Sequence, residues 1–229
     1  MQNGKKIILD LCGGTGSWSK PYKDAGYQVI NLTLPQYDVT KADLHNKELL
    51  LFAAADPLEN LHVPIKDIHG ILAAPPCTEF SLAKGNRPRD FEKGMSVVRA
   101  CLQIIWHVRT HGKLKFWALE NPVGFLRQFI GQPALTFEPW HYGAGHSKRT
   151  DLWGYFEKPV RLYTEPPLWL TGSSIKYKYK SRHYRNASDP VCPKEYESQL
   201  AGLPWKQRRA AIRAITPPHF AAAFYKANP

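Results

Sequence analysis

Cysteines are few in this chain, acidic residues are in short supply, and no apolar run is long. Cys12, Cys77, Cys101 and Cys192 are scattered through 229 residues, with no Cys-x-x-Cys pair. That spacing excludes a disulfide scaffold and a zinc site, so the expectation is a reducing, cytoplasmic setting with no metal. The longest apolar run, Leu49–Ala55, is stopped by Asp56 and Pro57. It falls well short of the ~20 residues that cross a bilayer, so no membrane partner is expected. The first six residues lead straight into an apolar strand and carry no signal-peptide pattern. Hydrophobic residues at 43% and charged residues at 22% fit a folded globular chain rather than a disordered one.

The shortage of acids sets the charge. Lys and Arg number 31 against 19 Asp and Glu, a net +12. Such an excess favours a polyanionic partner, most often nucleic acid. It is also clustered. Residues 176–213 hold ten basic residues against Asp189, Glu195 and Glu197, a net +7. Within them Lys176, Lys178, Lys180, Arg182 and Arg185 alternate with tyrosines, a period-two pattern that suits an extended ribbon with its charges on one face. These five are expected to contact the nucleic acid. No obligate protein partner is evident.

Hydrophobic periodicity predicts an α/β chain. Lys6–Asp10 reads as a strand that stops at a glycine turn. Ser19–Ala25 reads as a helix, Tyr27–Leu32 as a second strand and His69–Ala74 as a third. Ser81–Gly94 reads as a mobile loop. Met95–His111 is a helix with Val97, Val98, Cys101, Ile104, Ile105 and Val108 on one stripe. Lys115–Leu119 is a fourth strand, Val123–Ile130 a short helix, and Thr150–Phe156 and Val160–Tyr163 short strands. Leu203–Ile215 and Pro217–Ala227 read as helices, the second capped by Thr216. Strand alternating with helix implies a doubly wound, mostly parallel sheet, whose ligands bind at the carboxyl ends of the strands. Residues 1–140 are the expected core, 141–205 a small basic and aromatic recognition region, and 206–229 helices that return to the core.

Three strand ends carry reactive groups. Asp10 precedes Gly13-Gly14-Thr15-Gly16, a turn through which backbone can approach a ligand closely. It does not fit the dinucleotide pattern, and Asp10 by itself could simply cap the turn. Cys77 follows Pro75-Pro76, two rings that stiffen the backbone and aim the next side chain. A lone cysteine is more often a buried apolar thiol, and Cys101 on its helical stripe fits that description; Cys77, ahead of a polar loop, is a candidate nucleophile. Glu120 ends the apolar run Phe116–Leu119. Apolar flanks should raise its pKa, which suits a proton donor, although it could instead cap the helix near Pro122.

Asp10-Leu-Cys-Gly-Gly-Thr-Gly16, Ala74-Pro-Pro-Cys-Thr-Glu-Phe-Ser81 and Leu119-Glu-Asn-Pro122, in that order, resemble the motifs of DNA cytosine-5 methyltransferases, especially the compact phage and prophage type. Tyr142–Gly154, with Lys148-Arg149-Thr150, is similar to a later motif of that group, and Ala214–Phe224 to its C-terminal helix. The resemblance covers nearly the whole chain. It implies the S-adenosylmethionine-dependent, Rossmann-like methyltransferase fold, S-adenosylmethionine as cofactor and cytosine in DNA as substrate. It assigns Cys77 as nucleophile, Glu120 to ring nitrogen 3, and Arg149 with Lys148 to the oxygen at carbon 2 and to lowering the thiol pKa. The cofactor would meet Asp10, Cys12, Gly13, Gly14, Thr15, Gly16, Trp18, Thr33, Asp38 and Pro75. The flipped base would meet Pro76, Ser81, Arg87, Arg89 and Asn121, with Ser81–Gly94 closing over it.

The chain departs from that family pattern in three places. No acid ends the second strand, where Thr33 stands, so the ribose contact falls to a neutral hydroxyl or to Gln36 or Asp38 from the next loop. Asp38, with Asp43 as rival, is the candidate for the adenine. Cys12 replaces a phenylalanine, and His146-Ser-Lys148-Arg149 replaces Gln-x-Arg-x-Arg. An exocyclic amino methyltransferase would need a polar residue before Pro-Pro and an aromatic after it; Ala74 and Cys77 occupy those places. Action on RNA, and nucleic-acid binding without chemistry, are the other readings.

Overall fold

The computed structural model describes residues 3–45, 47–144, 146–166 and 192–229. The segment expected as a basic ribbon, with Lys176, Lys178, Lys180, Arg182 and Arg185, lies outside the described residues. The main sheet comprises β1 (Ile7–Leu11), β2 (Gln28–Leu32), β6 (Ile68–Ala73), β7 (Phe116–Pro122), β8 (Leu135–Phe137) and β9 (Thr150–Tyr155), in the order β2-β1-β6-β7-β9-β8. β2, β1, β6 and β7 pair in parallel. β9 pairs antiparallel with both β7 and β8, so it alone of these six runs against the rest.

β1 is buried at every position, which is why it reads as a continuous apolar run rather than an alternating one. Ile7, Leu9 and Leu11 face one core and Ile8 the other. The first core is covered by α2 (Phe91–His111), whose buried residues Val98, Cys101, Ile104, Ile105 and Val108 form the expected stripe. The second is covered by α1 (Lys20–Asp24) and α6 (Pro218–Ala227), where Phe220 stacks on Phe137 at 4.1 Å between ring centroids. Helices thus cover both faces, as a doubly wound sheet requires. Further along, α4 (Lys194–Leu200) and α5 (Trp205–Ala214) pack on each other through Tyr196, Leu200, Ala211 and Ile212.

Several boundaries differ from the sequence reading, each for a local reason. α2 begins at Phe91 because the Asp90 side chain accepts the Lys93 N–H at 2.9 Å; Gly94 is therefore helical, and the loop before it is shorter. That loop is braced rather than loose. Glu79 pairs with Lys84 and accepts the Asp90 N–H at 2.7 Å, while Arg89 donates to the carbonyls of Glu79 and Gly85. β7 runs on through Glu120, Asn121 and Pro122 because β9 supplies partners for all three. Val160–Tyr163 forms no strand; Leu162 and Tyr163 instead donate their N–H groups to the His141 carbonyl. Thr216 does not cap the last helix. Pro217 holds that position, and the Thr216 N–H donates to the Ser17 hydroxyl at 2.8 Å. A second sheet, β3 (Asp43–His45), β4 (Glu48–Leu51) and β5 (Leu61–Pro64), has no counterpart in the sequence reading.

One ion pair with a buried carboxylate holds β9. Asp151 is fully buried and accepts two bonds from Arg127 of α3 (Arg127–Ile130), at 2.6 and 2.7 Å, and one from Thr136 at 2.6 Å. Removing one partner of such a pair leaves a buried charge, so Arg127→Leu should cost about 3–5 kcal/mol of stability, read by urea denaturation. A loss below ~1 kcal/mol would mean that water reaches Asp151.

Candidate active site

The sheet order decides where the reactive groups meet. After β2 the chain crosses to the other side of β1 and lays down β6 and then β7. β1 and β6 therefore flank the point where the strand order reverses, which is where open α/β sheets hold ligands. Leu11 pairs with Ala73 and Ala73 with Leu119, so Asp10, the Pro-Pro-Cys turn and Glu120 emerge side by side.

The glycine turn is built around Asp10. Its carboxyl is fully buried, and Ser19 donates to Oδ2 at 2.5 Å. Oδ1 has no hydrogen-bond partner among the described residues. A Cβ at Gly13 would lie 2.3 Å from the Asp10 carboxyl carbon, so only glycine lets the turn close over the acid. Gly14 and Gly16 both have positive φ, the conformation that turns backbone around a ligand. Burial pushes the Asp10 carboxyl up to about 6, with the Ser19 bond acting the other way. A buried acid with an unpartnered oxygen in a glycine cradle is suited to a cationic group.

The other expected cofactor contacts divide. The Cys12 thiol hydrogen-bonds that of Cys101; this bond, then burial, raises Cys101 well above its ordinary range. Cys12 thus spans turn and core. Trp18 is buried against Phe224 and Phe220, at 5.4 and 6.2 Å, and ties the turn to α6. Asp38 accepts from the N–H and hydroxyl of Thr40, at 2.9 and 2.7 Å, and caps a short turn. Thr33 gives its carbonyl to the Tyr37 N–H. Asn31 was not foreseen: its amide donates to the Gly14 carbonyl at 3.0 Å and holds the turn from β2.

Backbone bonds tie the loop that follows Cys77 to the loop that follows Glu120. The Cys77 carbonyl accepts the N–H groups of Phe80 and Ser81, and the Phe80 carbonyl accepts the Phe125 N–H at 2.9 Å. A Cβ at Gly124 would meet the Phe80 oxygen at 2.3 Å, so the two loops touch there through glycine. Asn121 is fully buried and donates to the Pro75 carbonyl at 3.0 Å, so it braces the turn. Pro75 is buried and Pro76 exposed. The Ser81 hydroxyl accepts the Ala83 N–H, and Arg87 donates to the Lys84 carbonyl. Arg89 lies over the Phe125 ring at 4.6 Å.

Lys148, not Arg149, faces Glu120. Its Nζ is 3.9 Å from Glu120 Oε1, and the Glu120 side chain is 22% exposed. Arg149 is exposed, and its carbonyl accepts the Val123 N–H at 2.9 Å. A small cleft is lined by Glu120, Lys148, His146, Trp18, Thr216 and Arg213; the last of these no motif reading had singled out. Burial raises the Glu120 carboxyl, Lys148 opposes, and Asp151 adds to the rise. The Cys77 thiol also lies above its ordinary value. Burial is the main cause and Glu120 the second, while Lys148 and Arg213 pull it down. That corrects the expectation of a lowered thiol: the basic groups are present, but burial outweighs them.

The set is a nucleophile, an acid that keeps its proton unusually late and a cation, beside a cradle for a cationic ligand. No family model matches the chain. A curated protein does: the type II methyltransferase M.DdeI of Desulfomicrobium norvegicum, 28% identical over 132 residues. Over half its length this chain is similar to a methyltransferase. The alignment covers 52% of this chain and 28% of that relative. With the sheet order, it makes the fold a Rossmann-like α/β fold of the methyltransferase type. Among the described residues no helix is long and apolar enough to cross a membrane, and no group of three His, Cys, Asp or Glu could hold a metal ion.

Proposed function

We propose that the protein methylates carbon 5 of cytosine in DNA, with S-adenosylmethionine as donor and a transient covalent bond to Cys77. The observation that supports this reading most is that the Pro-Pro-Cys77 turn and Glu120 lie at neighbouring strand ends, with Asn121 bonded to the Pro75 carbonyl. The Cys77 sulfur attacks carbon 6, and the electrons of the carbon 5–carbon 6 double bond move to carbon 5. Glu120 holds a proton at ring nitrogen 3, which its raised pKa favours, and Lys148 offsets charge at the oxygen on carbon 2. When bound, S-adenosylmethionine supplies the methyl group as an electrophile. The hydrogen at carbon 5 then leaves to a base, and the sulfur–carbon 6 bond breaks to free Cys77. Because those ring atoms are shielded in a duplex, the base must be flipped out or the strand already single. In this reading Arg149, Ser81, Arg87 and Arg89 are supporting contacts, and residues 176–185 bind the phosphates.

The test is transfer of a labelled methyl group to duplex DNA, single-stranded DNA and RNA in parallel, with the product base identified. Label at carbon 5 of cytosine in DNA supports the reading. Label on an exocyclic amine, or on RNA alone, overturns it.

The cofactor assignment makes its own prediction. Asp10 would hold the donor's cationic end, with Gly13, Gly14, Thr15 and Gly16 against its backbone. In the protein without donor, the fold disfavours the ionised acid. Its contribution to stability is present below the ordinary value and is lost as pH rises through about 6. A cationic ligand selects the ionised form, so donor affinity should rise by about 10-fold from pH 5 to pH 7 and level off above. Calorimetry at the two pH values checks this, and Asp10→Asn should flatten the dependence. Equal affinities in the parent protein would remove Asp10 from the contact.

A further inference from the structure

The basic excess is not confined to residues 176–213. Residues 93–119 hold Lys93, Arg99, Arg109, Lys113 and Lys115 and no Asp or Glu. Most of that stretch is α2, whose inner stripe packs on the sheet. On its outward side Trp106 is 63% exposed, and the exposed Arg109 stands nearly one turn further on. Tyr155, the last residue of β9, is 66% exposed. It pairs in register with Trp117, which packs on the α2 side of the sheet. The Arg109 guanidinium joins the two exposed rings, 5.4 Å from the Trp106 centroid and 5.8 Å from that of Tyr155. Arg99 is paired with Glu92, whereas the ion pairs among the described residues leave Arg109 out. The patch lies towards the amino ends of the parallel strands, because β9 runs against β7 and Tyr155 meets Trp117 rather than Glu120.

We propose that Trp106, Arg109 and Tyr155 form a second nucleic-acid contact, one that takes a single-stranded segment away from the reactive cleft. Unpaired bases offer flat faces that stack on exposed rings, and a phosphate supplies the negative charge that Arg109 lacks. Rings on either side of a guanidinium limit its motion, so less freedom is lost when its planar fork binds a phosphate. A single strand fits better than a duplex, in which neighbouring bases already cover those faces. Exposed Trp, Tyr and Arg also serve protein interfaces. The acid-free stretch and the net charge of +12 match a polyanion better than another copy of this basic chain. Glu157, two residues beyond Tyr155, is the nearest acid along the chain, and Lys158 follows it. The contact needs neither the methyl donor nor the thiol of Cys77, so it stands apart from the proposed chemistry.

The experiment measures binding of a fluorescein-labelled oligo-dT of about 12 nucleotides to the full chain by anisotropy, without donor. The probe contains no cytosine, so the reactive cleft has no target base to hold. A copy with 5-iodouracil at its centre is photo-cross-linked and the joined peptide mapped by mass spectrometry. The cross-link should fall on the peptide of Trp106 or that of Tyr155. Replacing both rings, Trp106→Ala with Tyr155→Ala, should weaken binding by about 10-fold or more, the low end for two lost stacking contacts. Arg109→Ala should flatten the slope of log K against log[salt] by about 0.7, one phosphate's share on a single strand, and Arg109→Lys should restore it. All three side chains are exposed, so the fold should survive; if a variant melts early, the cross-link map of the parent protein decides by itself. No binding by the parent, cross-links confined to other peptides, or a double variant within two-fold of the parent overturns the proposal. So does a parent that is dimeric by light scattering and that Trp106→Ala makes monomeric, which would assign the patch to contact between copies.

Discussion

Cys77→Ala should abolish methyl transfer while DNA binding stays within about two-fold. Removing an enzyme's nucleophile typically lowers kcat by about 10⁴–10⁶-fold. The Cys77 residue is half-buried, and its carbonyl, not its thiol, ties the turn to Phe80 and Ser81. Alanine therefore preserves the loop, and the fold should tolerate the change. The covalent step provides a direct readout. DNA carrying 5-fluorocytosine blocks loss of the substituent at carbon 5, so the parent protein should accumulate a denaturation-resistant adduct when donor is present. The alanine variant should form none. An adduct that survives the substitution would place the nucleophile elsewhere.

Glu120→Gln should separate two properties that usually fall together. Methyl transfer should drop by about 10²–10⁴-fold, the range for a lost general acid, because glutamine cannot deliver a proton to ring nitrogen 3. Alkylation of Cys77, by contrast, should become faster near neutral pH. The Glu120 charge is, after burial, the second cause holding the thiol above its ordinary value, so its removal lets the thiol ionise at lower pH. Lys148 is also released from its carboxylate partner and left to act on sulfur. A variant slow in both assays would mean that Glu120 only supports the fold around the turn.

How legible this site was depends on where each group's neighbours come from. β1, β6 and the start of β7 are buried on both sides, and such strands announce themselves as unbroken apolar runs. The prolines before Cys77 and the apolar flank of Glu120 are written in adjacent residues, so both were readable. The choice between Lys148 and Arg149 was not. Neighbours in extended chain point to opposite sides, and which side faces Glu120 depends on the β9 register, set by pairing with β7. Arg213 was further out of reach, because no spacing links an Arg-rich helix to a motif more than half the chain away; only packing of α5 beside the cleft does so. The strands β3, β4 and β5 are only 3 or 4 residues long, too short for a period to give them away. The raised thiol was missed for a related reason: the sign of each nearby charge can be read from sequence, but the degree of burial that outweighs it cannot.

The reversed strand β9 matters beyond its hydrogen bonds. A strand that runs against its neighbours starts where they finish, so the residues leading into it are delivered to the reactive end of the sheet. Residues 146–149 are brought to the site in this way. Lys148 sets the charge in front of Glu120, while the backbone there is held by the Arg149 carbonyl on the Val123 N–H and by the pairing that begins at Thr150. Exchanging the side chain at 148 should therefore retune the chemistry without reopening the sheet.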